Sequence, residues 1–196
     1  MASPAISSPR PSLKRDHLIA TAWRLFYRDG YRAVGIDTVL AEAGVAKMTL
    51  YNHFAAKDDL ILAVLAKRSI EVLDGLRSAA SASKGPPSKR LLALFDWLAD
   101  WYAADDFNGC AFIRALSEFP EVSHPVHQAA WRHKQAMTEI LVELGRAAGA
   151  QDPAGLGEAL RLVIDGSIVA AHASGSAAPA LRAKLTAALL IKAAQA

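Results

Sequence analysis

A dense run of hydrogen-bonding side chains begins at Lys47. If a helix runs from Lys47 to His53, Leu50 and Phe54 lie four residues apart on its buried side. The side chains left on the other side are Lys47, Met48, Thr49, Asn52 and His53. Their polar and apolar tips suit phosphate oxygens and base edges in the major groove of DNA. A solvated helix face has the same composition, so spacing alone leaves both interpretations open.

A helix that reads DNA must be held at a steep angle by a short preceding helix and a tight turn. Residues 36–43 have the apolar spacing of such a helix, and Gly44 ends it. Val45 follows at the position that would fill the space between two crossing helices. The pattern therefore predicts a helix-turn-helix at about residues 35–54.

The rest of the chain is predicted to be helical. Apolar residues fall on one helical face over residues 13–29, and Gly30 ends that helix. Acidic residues at the start of 57–82 favour a long helix there, and the Ser-Lys-Gly-Pro-Pro run at 83–87 is predicted to be a linker. Further helices are predicted at about 88–104, 109–118, 123–148, 153–173 and from 176–179 to 194.

The segment 43–60 resembles the signature of the tetracycline-repressor-like (TetR) family of bacterial transcriptional regulators. This chain reads A-G-V-A-K-M-T-L-Y-N-H-F-A-A-K-D-D-L, and the usual family form is A-G-V-S-x-G-T-L-Y-x-H-F-x-x-K-x-x-L. The resemblance covers about residues 13–62. It implies an all-α fold, with a three-helix DNA-binding head that contains the helix-turn-helix and a six-helix C-terminal regulatory and dimerisation bundle. It also implies a sequence-specific regulator of transcription, expected to be a repressor that a small-molecule effector releases from a palindromic operator in double-stranded DNA.

Nine side chains are implied to bind or approach DNA by this resemblance, and their chemistry divides them. We expect contacts with the phosphate backbone from Thr49, Tyr51, His53 and Lys57. We expect contacts with base edges from Lys47, Met48 and Asn52, and we expect Ile36 and Asp37 to lie close to the duplex. Such backbone contacts fix the docking register, whereas base contacts read the sequence.

Three departures from the family pattern bear on DNA recognition. Met48 replaces the usual glycine, and Leu40 replaces a common alanine. Residues 35–37 read Gly-Ile-Asp, where a Thr-Thr/Ser-Val-Arg pattern is common, so a basic side chain is absent there. The operator sequence therefore cannot be transferred from other members.

The last two helices carry apolar stripes, and the resemblance implies that they pair with their copies in a homodimer. The stripe residues predicted at the dimer interface are Leu160, Ile164 and Ile168 on one helix and Leu181, Leu185 and Leu189 on the next. Stripes of this kind also form the core of a single chain, which is the alternative interpretation.

A group of aromatic and polar residues is typical of a pocket for a small apolar or aromatic effector. The predicted pocket residues are Trp97, Trp101, Phe112, Arg114, Trp131 and Asp165. Ordinary core packing is the alternative for each of the aromatic side chains.

Charge and composition support this division of the chain. Residues 1–68 hold ten Lys/Arg against six Asp/Glu, a net charge of +4, whereas the rest holds twelve against thirteen, a net charge of −1. We predict a disordered arm at 1–11, a DNA-binding domain at 12–72 and a ligand-binding and dimerisation domain at 73–196.

No catalytic motif, cofactor motif or zinc-ligand spacing is recognisable, so neither an enzyme nor a metal site is expected. The single Cys110 cannot form a disulfide within the chain, and the first residues lack the apolar core of a signal peptide. We therefore expect a cytoplasmic protein that does not associate with membranes. A helical enzyme or small-molecule-binding protein with an incidental helical hairpin is the alternative.

Overall fold

The computed structural model of the chain describes residues 13–196, so the predicted arm at 1–11 lies outside the described residues. Within this range the chain forms nine α-helices and no strand, which confirms the all-α prediction. The helices are α1 (Leu13–Asp29), α2 (Ile36–Ala43), α3 (Lys47–Tyr51), α4 (Lys57–Ala82), α5 (Pro87–Tyr102), α6 (Ala111–Glu118), α7 (Pro125–Ala147), α8 (Pro153–Ser174) and α9 (Ala178–Ala194).

The chain packs as two compact units, of which the first ends at Val64 and the second begins at Leu65. This division lies within α4, as does the domain boundary predicted between residues 72 and 73. In the N-terminal unit, helices α1, α2 and α3 pack against one another. The residues at the centre of this packing are fully buried and apolar: Leu18, Ala22, Phe26, Val39, Leu50 and Leu60.

The C-terminal unit is built around α7 and α8, which pack against each other. Helix α6 packs on α7, and α9 packs on both α5 and α8. The backbones of α7 and α8 approach closely at Gly157, where an added Cβ would lie 2.5 Å from a methyl group of Val142 and 3.1 Å from its backbone nitrogen. This contact explains why a glycine occupies position 157, in the second turn of α8.

Most predicted helices begin and end within a few residues of the observed bounds. Helix α3 is the informative difference, because it ends at Tyr51 rather than at His53. Beyond Tyr51 the chain turns, and the N–H groups of Asn52 and Phe54 donate to the carbonyls of Met48 and Leu50 at 3.0 and 2.9 Å. The backbone there remains hydrogen-bonded although the regular helix has ended.

The start of α8 follows its sequence signal. The Asp152 carboxylate accepts a hydrogen bond from the backbone N–H of Gly155 at 3.0 Å, and Pro153 occupies the first turn. This is the expected geometry of an N-terminal cap followed by proline. Between residues 13 and 196, no helix combines the length and the hydropathy that crossing a bilayer requires.

Candidate nucleic-acid interface

The turn between α2 and α3 depends on Gly44. Its backbone lies in the left-handed region, with φ 63° and ψ 33°. The N–H groups of Gly44 and Val45 reach back to the carbonyls of Ala41 and Leu40, both at 3.3 Å. These two bonds form a Schellman motif, which satisfies the last carbonyls of α2 and reverses the chain direction. A glycine is favoured there because a Cβ is strained at this positive φ.

A side chain of α1 holds the end of α2 in place. The imidazole Nε2 of His17 donates a hydrogen bond to the backbone carbonyl of Ala43 at 3.0 Å. Arg24 of the same helix lies 3.7 Å from the Glu42 carboxylate, and both of these side chains are exposed. The exposed ion pair contributes little free energy, whereas the His17 bond gives the last turn of α2 a partner that its own helix cannot supply.

Helix α3 separates buried from exposed side chains as its sequence predicts. Leu50 is fully buried, and Phe54 just after the helix is buried as well. On the opposite side, Met48 is 70% exposed and Tyr51 is 46% exposed. Two large side chains with this much apolar surface in water are typical of a surface that binds a partner.

The other predicted DNA-binding residues lie on or beside this exposed face. Lys47, Asn52 and Asp37 are exposed, whereas Thr49, His53, Ile36 and Lys57 are half-buried. The Lys47 ammonium lies 6.0 Å from the centre of the Tyr51 ring, so the cation and the phenol ring are neighbours on the surface. The Lys57 ammonium donates to the Arg32 carbonyl at 3.3 Å and has further donors for another partner.

The connection from α3 to α4 is fixed by side chains that sequence analysis missed. The Asp59 carboxylate accepts from the backbone N–H of Ala56 at 3.0 Å, as in the returning half of a capping box. The guanidinium of Arg15 lies 5.2 Å above the Phe54 ring. The three-residue spacing of Ala56 and Asp59 is a local signal for the cap, but no sequence pattern connects Arg15 with Phe54 or His17 with Ala43.

The predicted effector residues do not lie at one place in the C-terminal unit. Arg114 lines a cavity of about 230 Å³, Trp131 lines another of about 410 Å³, and the two cavities share no lining residue. Phe112 is buried and stacks on His133, with ring centres 3.5 Å apart. Trp97 and Trp101 are partly buried against the hydrophobic core. Core packing therefore accounts for the position of these three aromatic side chains.

Asp165, the last predicted pocket residue, is half-buried and belongs to a polar cluster around the buried Lys134. One carboxylate oxygen lies 2.5 Å from the Lys134 ammonium, and the other accepts from Arg161 at 3.0 Å. Lys134 is only 2% exposed, and its ammonium also lies 3.6 Å from the sulfur of Cys110. A lysine so deeply buried requires a charged partner, which Asp165 supplies.

Next to this cluster, His133 is buried and uncharged. Desolvation, together with the positive charges of Lys134 and Arg68, lowers its pKa to about 3. Its Nδ1 lies 2.8 Å from the Ser69 hydroxyl. In the same unit, the buried Tyr102 hydroxyl lies 2.7 Å from that of Ser167, and burial raises the pKa of Tyr102. No local sequence pattern indicates these pairs, because their members lie more than sixty residues apart.

The residues predicted at the dimer surface fall into two groups. Leu160, Ile164 and Ile168 are at most 4% exposed and belong to the core of this chain, so for these three the prediction needs correction. Leu181, Leu185 and Leu189 are each more than 60% exposed along one side of α9. The exposed side of α8 carries a different set: Leu162, Gly166, Val169, Ala170 and Ala173. Helix α8 is apolar on two sides, and periodicity cannot tell which side faces its own chain.

Comparison with known proteins agrees with the geometry of α2 and α3. Residues 18–64 match the family model described as bacterial regulatory proteins, tetR family. This range contains the buried residues of the N-terminal unit, the Schellman turn and all nine predicted DNA-binding residues.

Similarity to a solved structure extends over almost the whole chain. A TetR-family transcriptional regulator from Streptomyces coelicolor is 31% identical, with a TM-score of 0.88 over 93% of this chain and 96% of the other. The transcriptional activator FasR of Mycolicibacterium smegmatis is 39% identical over 66 residues, and that match spans 34% of this chain and 30% of FasR. The transcriptional repressor NemR of Escherichia coli is 23% identical over 65% of this chain and 64% of NemR. The chain therefore belongs to the TetR family of bacterial transcriptional regulators.

Proposed function

We propose that the chain is a homodimeric repressor that binds a palindromic DNA operator and is released by a small molecule. The observation that carries this proposal is the exposed face of α3. Met48 and Tyr51 stand out into solvent there beside Lys47, while Leu50 anchors the helix from behind. A rigidly held helix with such a face suits insertion into the major groove.

The contacts proposed for this face differ in what they recognise. Tyr51 and Thr49 supply hydroxyl groups, and Lys57 supplies an ammonium, for the phosphate backbone. Lys47 suits the O6 and N7 acceptors of guanine, and Asn52 suits the N6 and N7 atoms of adenine. Met48 is 70% exposed and presents an apolar tip that suits a thymine methyl group. Asp37 repels phosphate, so we place it beside the groove and not against the backbone.

A second copy of the chain is the proposed partner of the exposed apolar sides of α8 and α9. One recognition helix contacts only a few base pairs, so a dimer with two heads about 34–36 Å apart gives a longer site. Leu181, Leu185 and Leu189 follow each other at intervals of four residues along α9 and remain exposed in the single chain. An apolar stripe of this length suits the corresponding stripe of an identical helix.

Release by a small molecule would act through the distance between the two heads. A ligand that binds more tightly to a conformer with a changed head spacing shifts the population away from DNA. A tenfold preference for that conformer changes the equilibrium by about 1.4 kcal/mol, and a nearly complete switch requires about 5.5 kcal/mol. Repression is the proposed direction because the match to the repressor NemR spans much more of this chain than the match to the activator FasR.

The test is a binding titration of the full chain against the DNA that flanks its own gene, repeated at several salt concentrations. We expect one sequence to bind far more tightly than unrelated DNA, and we expect its affinity to fall steeply with salt. Light scattering should give the mass of two chains on one operator. An incidental helical hairpin in an enzyme or binding protein would instead show equal, weak affinity for every DNA fragment.

A further inference from the structure

A cavity of about 230 Å³ lies between the α5–α6 connection, α6 and α8. A dry cavity of roughly 150 Å³ in another protein accommodates a benzene molecule. The present cavity is therefore large enough for one ring or a short branched chain together with a small polar group.

The lining of this cavity is of two chemical kinds. Ile113, Ile168 and Val169 provide apolar surface for the body of a ligand. Arg114, Asn108 and His172 carry groups that can donate hydrogen bonds to an acceptor. The Ser117 hydroxyl donates to the Ile113 carbonyl at 3.0 Å, so its proton is already used.

The charge around the cavity favours an anion. Its lining, as far as residues 13–196 form it, contains no carboxylate, and Arg114 has five N–H donors, enough to serve a ligand besides its contacts within the protein. Glu118 lies one turn further along α6 and is not part of the lining. An arginine in a partly apolar site binds a carboxylate through paired, charge-assisted hydrogen bonds.

The wall behind Cys110 adds further positive charge. The Lys134 ammonium lies 3.6 Å from the Cys110 sulfur and is 98% removed from solvent. Among residues 13–196, Lys134 and Arg161 both contact the carboxylate of Asp165 and no other. This cluster thus holds two cations and one anion, and its net positive charge is screened less than it would be in water.

We propose that this cavity is the effector site and that its ligand is a small molecule with an apolar body and one carboxylate. The effector, predicted from the sequence to be apolar or aromatic, would thus also carry one negative charge, and Arg114 would bind that charge. The assignment of an effector role rests on the proposed function. Val169 lines the cavity and also lies on the exposed side of α8 proposed to face a second copy, so the ligand would contact the helix that positions the dimer.

The test measures binding by calorimetry on the full chain without DNA. The probes are benzoate and phenylacetate, each compared with its neutral amide of nearly the same shape. We expect the acids to bind at least tenfold more tightly than the amides, since a hydrogen bond to a charged group is about twice as strong as a neutral one. Arg114→Gln should lower acid affinity about tenfold and leave amide affinity unchanged.

Arg90→Gln is the matched control, because Arg90 is an exposed arginine of α5 that does not line the cavity. It removes the same charge and should leave both affinities unchanged. If Arg114→Gln does not fold by thermal melting, Arg114→Lys replaces it and should weaken only the acids, by a few-fold. The assignment is wrong if no acid binds at millimolar concentration, if acids and amides bind equally, or if the preference survives the change at Arg114.

Operator binding is measured separately on the same protein. Intact operator binding with no acid preference would overturn the effector site and leave the regulator function standing. Acid binding that depends on Arg114, in a chain that binds no DNA selectively, would keep the site and overturn the regulator function. The two proposals therefore fail by different results.

Discussion

The two units of the chain differ in how far their polar side chains are exposed to water. In the N-terminal unit, the polar groups of the α3 face lie at the surface, and the core behind them is apolar, as at Leu18 and Leu50, apart from the buried hydroxyl of Thr21. In the C-terminal unit, Lys134 and His133 are almost completely removed from water. Exposed groups can exchange water for DNA at little cost, whereas buried groups require fixed partners within the protein.

This difference indicates how each unit recognises its partner. The N-terminal unit presents donors on a rigid helix to a large, highly charged partner, so only the helix must be held in place. The C-terminal unit encloses donors and charges, and each must be matched by another side chain, as Asp165 matches both Lys134 and Arg161. Buried ionic groups rarely add to net stability, so the role of Asp165 is chiefly to spare Lys134 the cost of an unpaired buried charge.

The largest effects on stability and assembly are expected from a carboxylate placed on the buried side of α8 or on the exposed side of α9. Ile164→Asp puts a carboxylate into the core, at a site that is 1% exposed, and should destabilise the chain by more than about 4 kcal/mol. Leu185→Asp changes a side chain that is 61% exposed and should leave the helices folded while it separates the dimer. Circular dichroism and light scattering measure the two outcomes, and a folded, fully dimeric Leu185→Asp protein would contradict the proposed dimer surface.

A second comparison sets the buried cation against an exposed one. Lys134→Met leaves Asp165 with only Arg161 and should lower the free energy of unfolding by about 3 kcal/mol, near the lower end for a broken buried pair. Lys184→Met breaks an equally short ion pair with Asp96, in which the Asp96 side chain is 63% exposed, and should cost less than about 1 kcal/mol. Urea unfolding at one protein concentration measures both. Equal losses of unfolding free energy in the two variants would show that burial does not raise the cost of breaking the ion pair of Lys134.

The burial of His133 should also make the free energy of unfolding depend on pH. The pKa of His133 is about 3 in the folded chain and near 6.5 in the unfolded chain. Below pH 6.5 the unfolded state therefore takes up a proton that the folded state refuses, so stability should fall by up to ~1.4 kcal/mol per pH unit. Above that pH this contribution is constant.

The change His133→Gln should make this decline shallower between about pH 6.5 and 5, while the curves of the two proteins run parallel above pH 7. Urea unfolding at each pH provides the measurement. A decline that is equally steep in both proteins would mean that His133 is not the group responsible.

How much the sequence could predict differs between the units for a physical reason. The helix-turn-helix depends on short-range signals, such as the glycine that ends α2 and the four-residue spacing of Leu50 and Phe54, and these placed the α3 face correctly. Helix α8 is apolar on both sides, so its periodicity predicts Ile164 at a dimer surface although the residue lies in the core. The polar cluster joins Lys134 to Asp165 across 31 residues, and no local pattern encodes such a contact.

The central claim is that the exposed face of α3 reads DNA. An anisotropy titration of the operator and its single-base variants, with the unmodified chain, Lys47→Ala and Tyr51→Ala, tests it most directly. Lys47→Ala should reduce the discrimination between correct and incorrect bases by about 1–3 kcal/mol at one base pair, and at its equivalent in the other half of the operator. Tyr51→Ala should weaken binding to every sequence by a similar factor, with its base preferences intact. If both variants bind every site as the unmodified chain does, α3 is not the reading helix and the proposed docking is wrong.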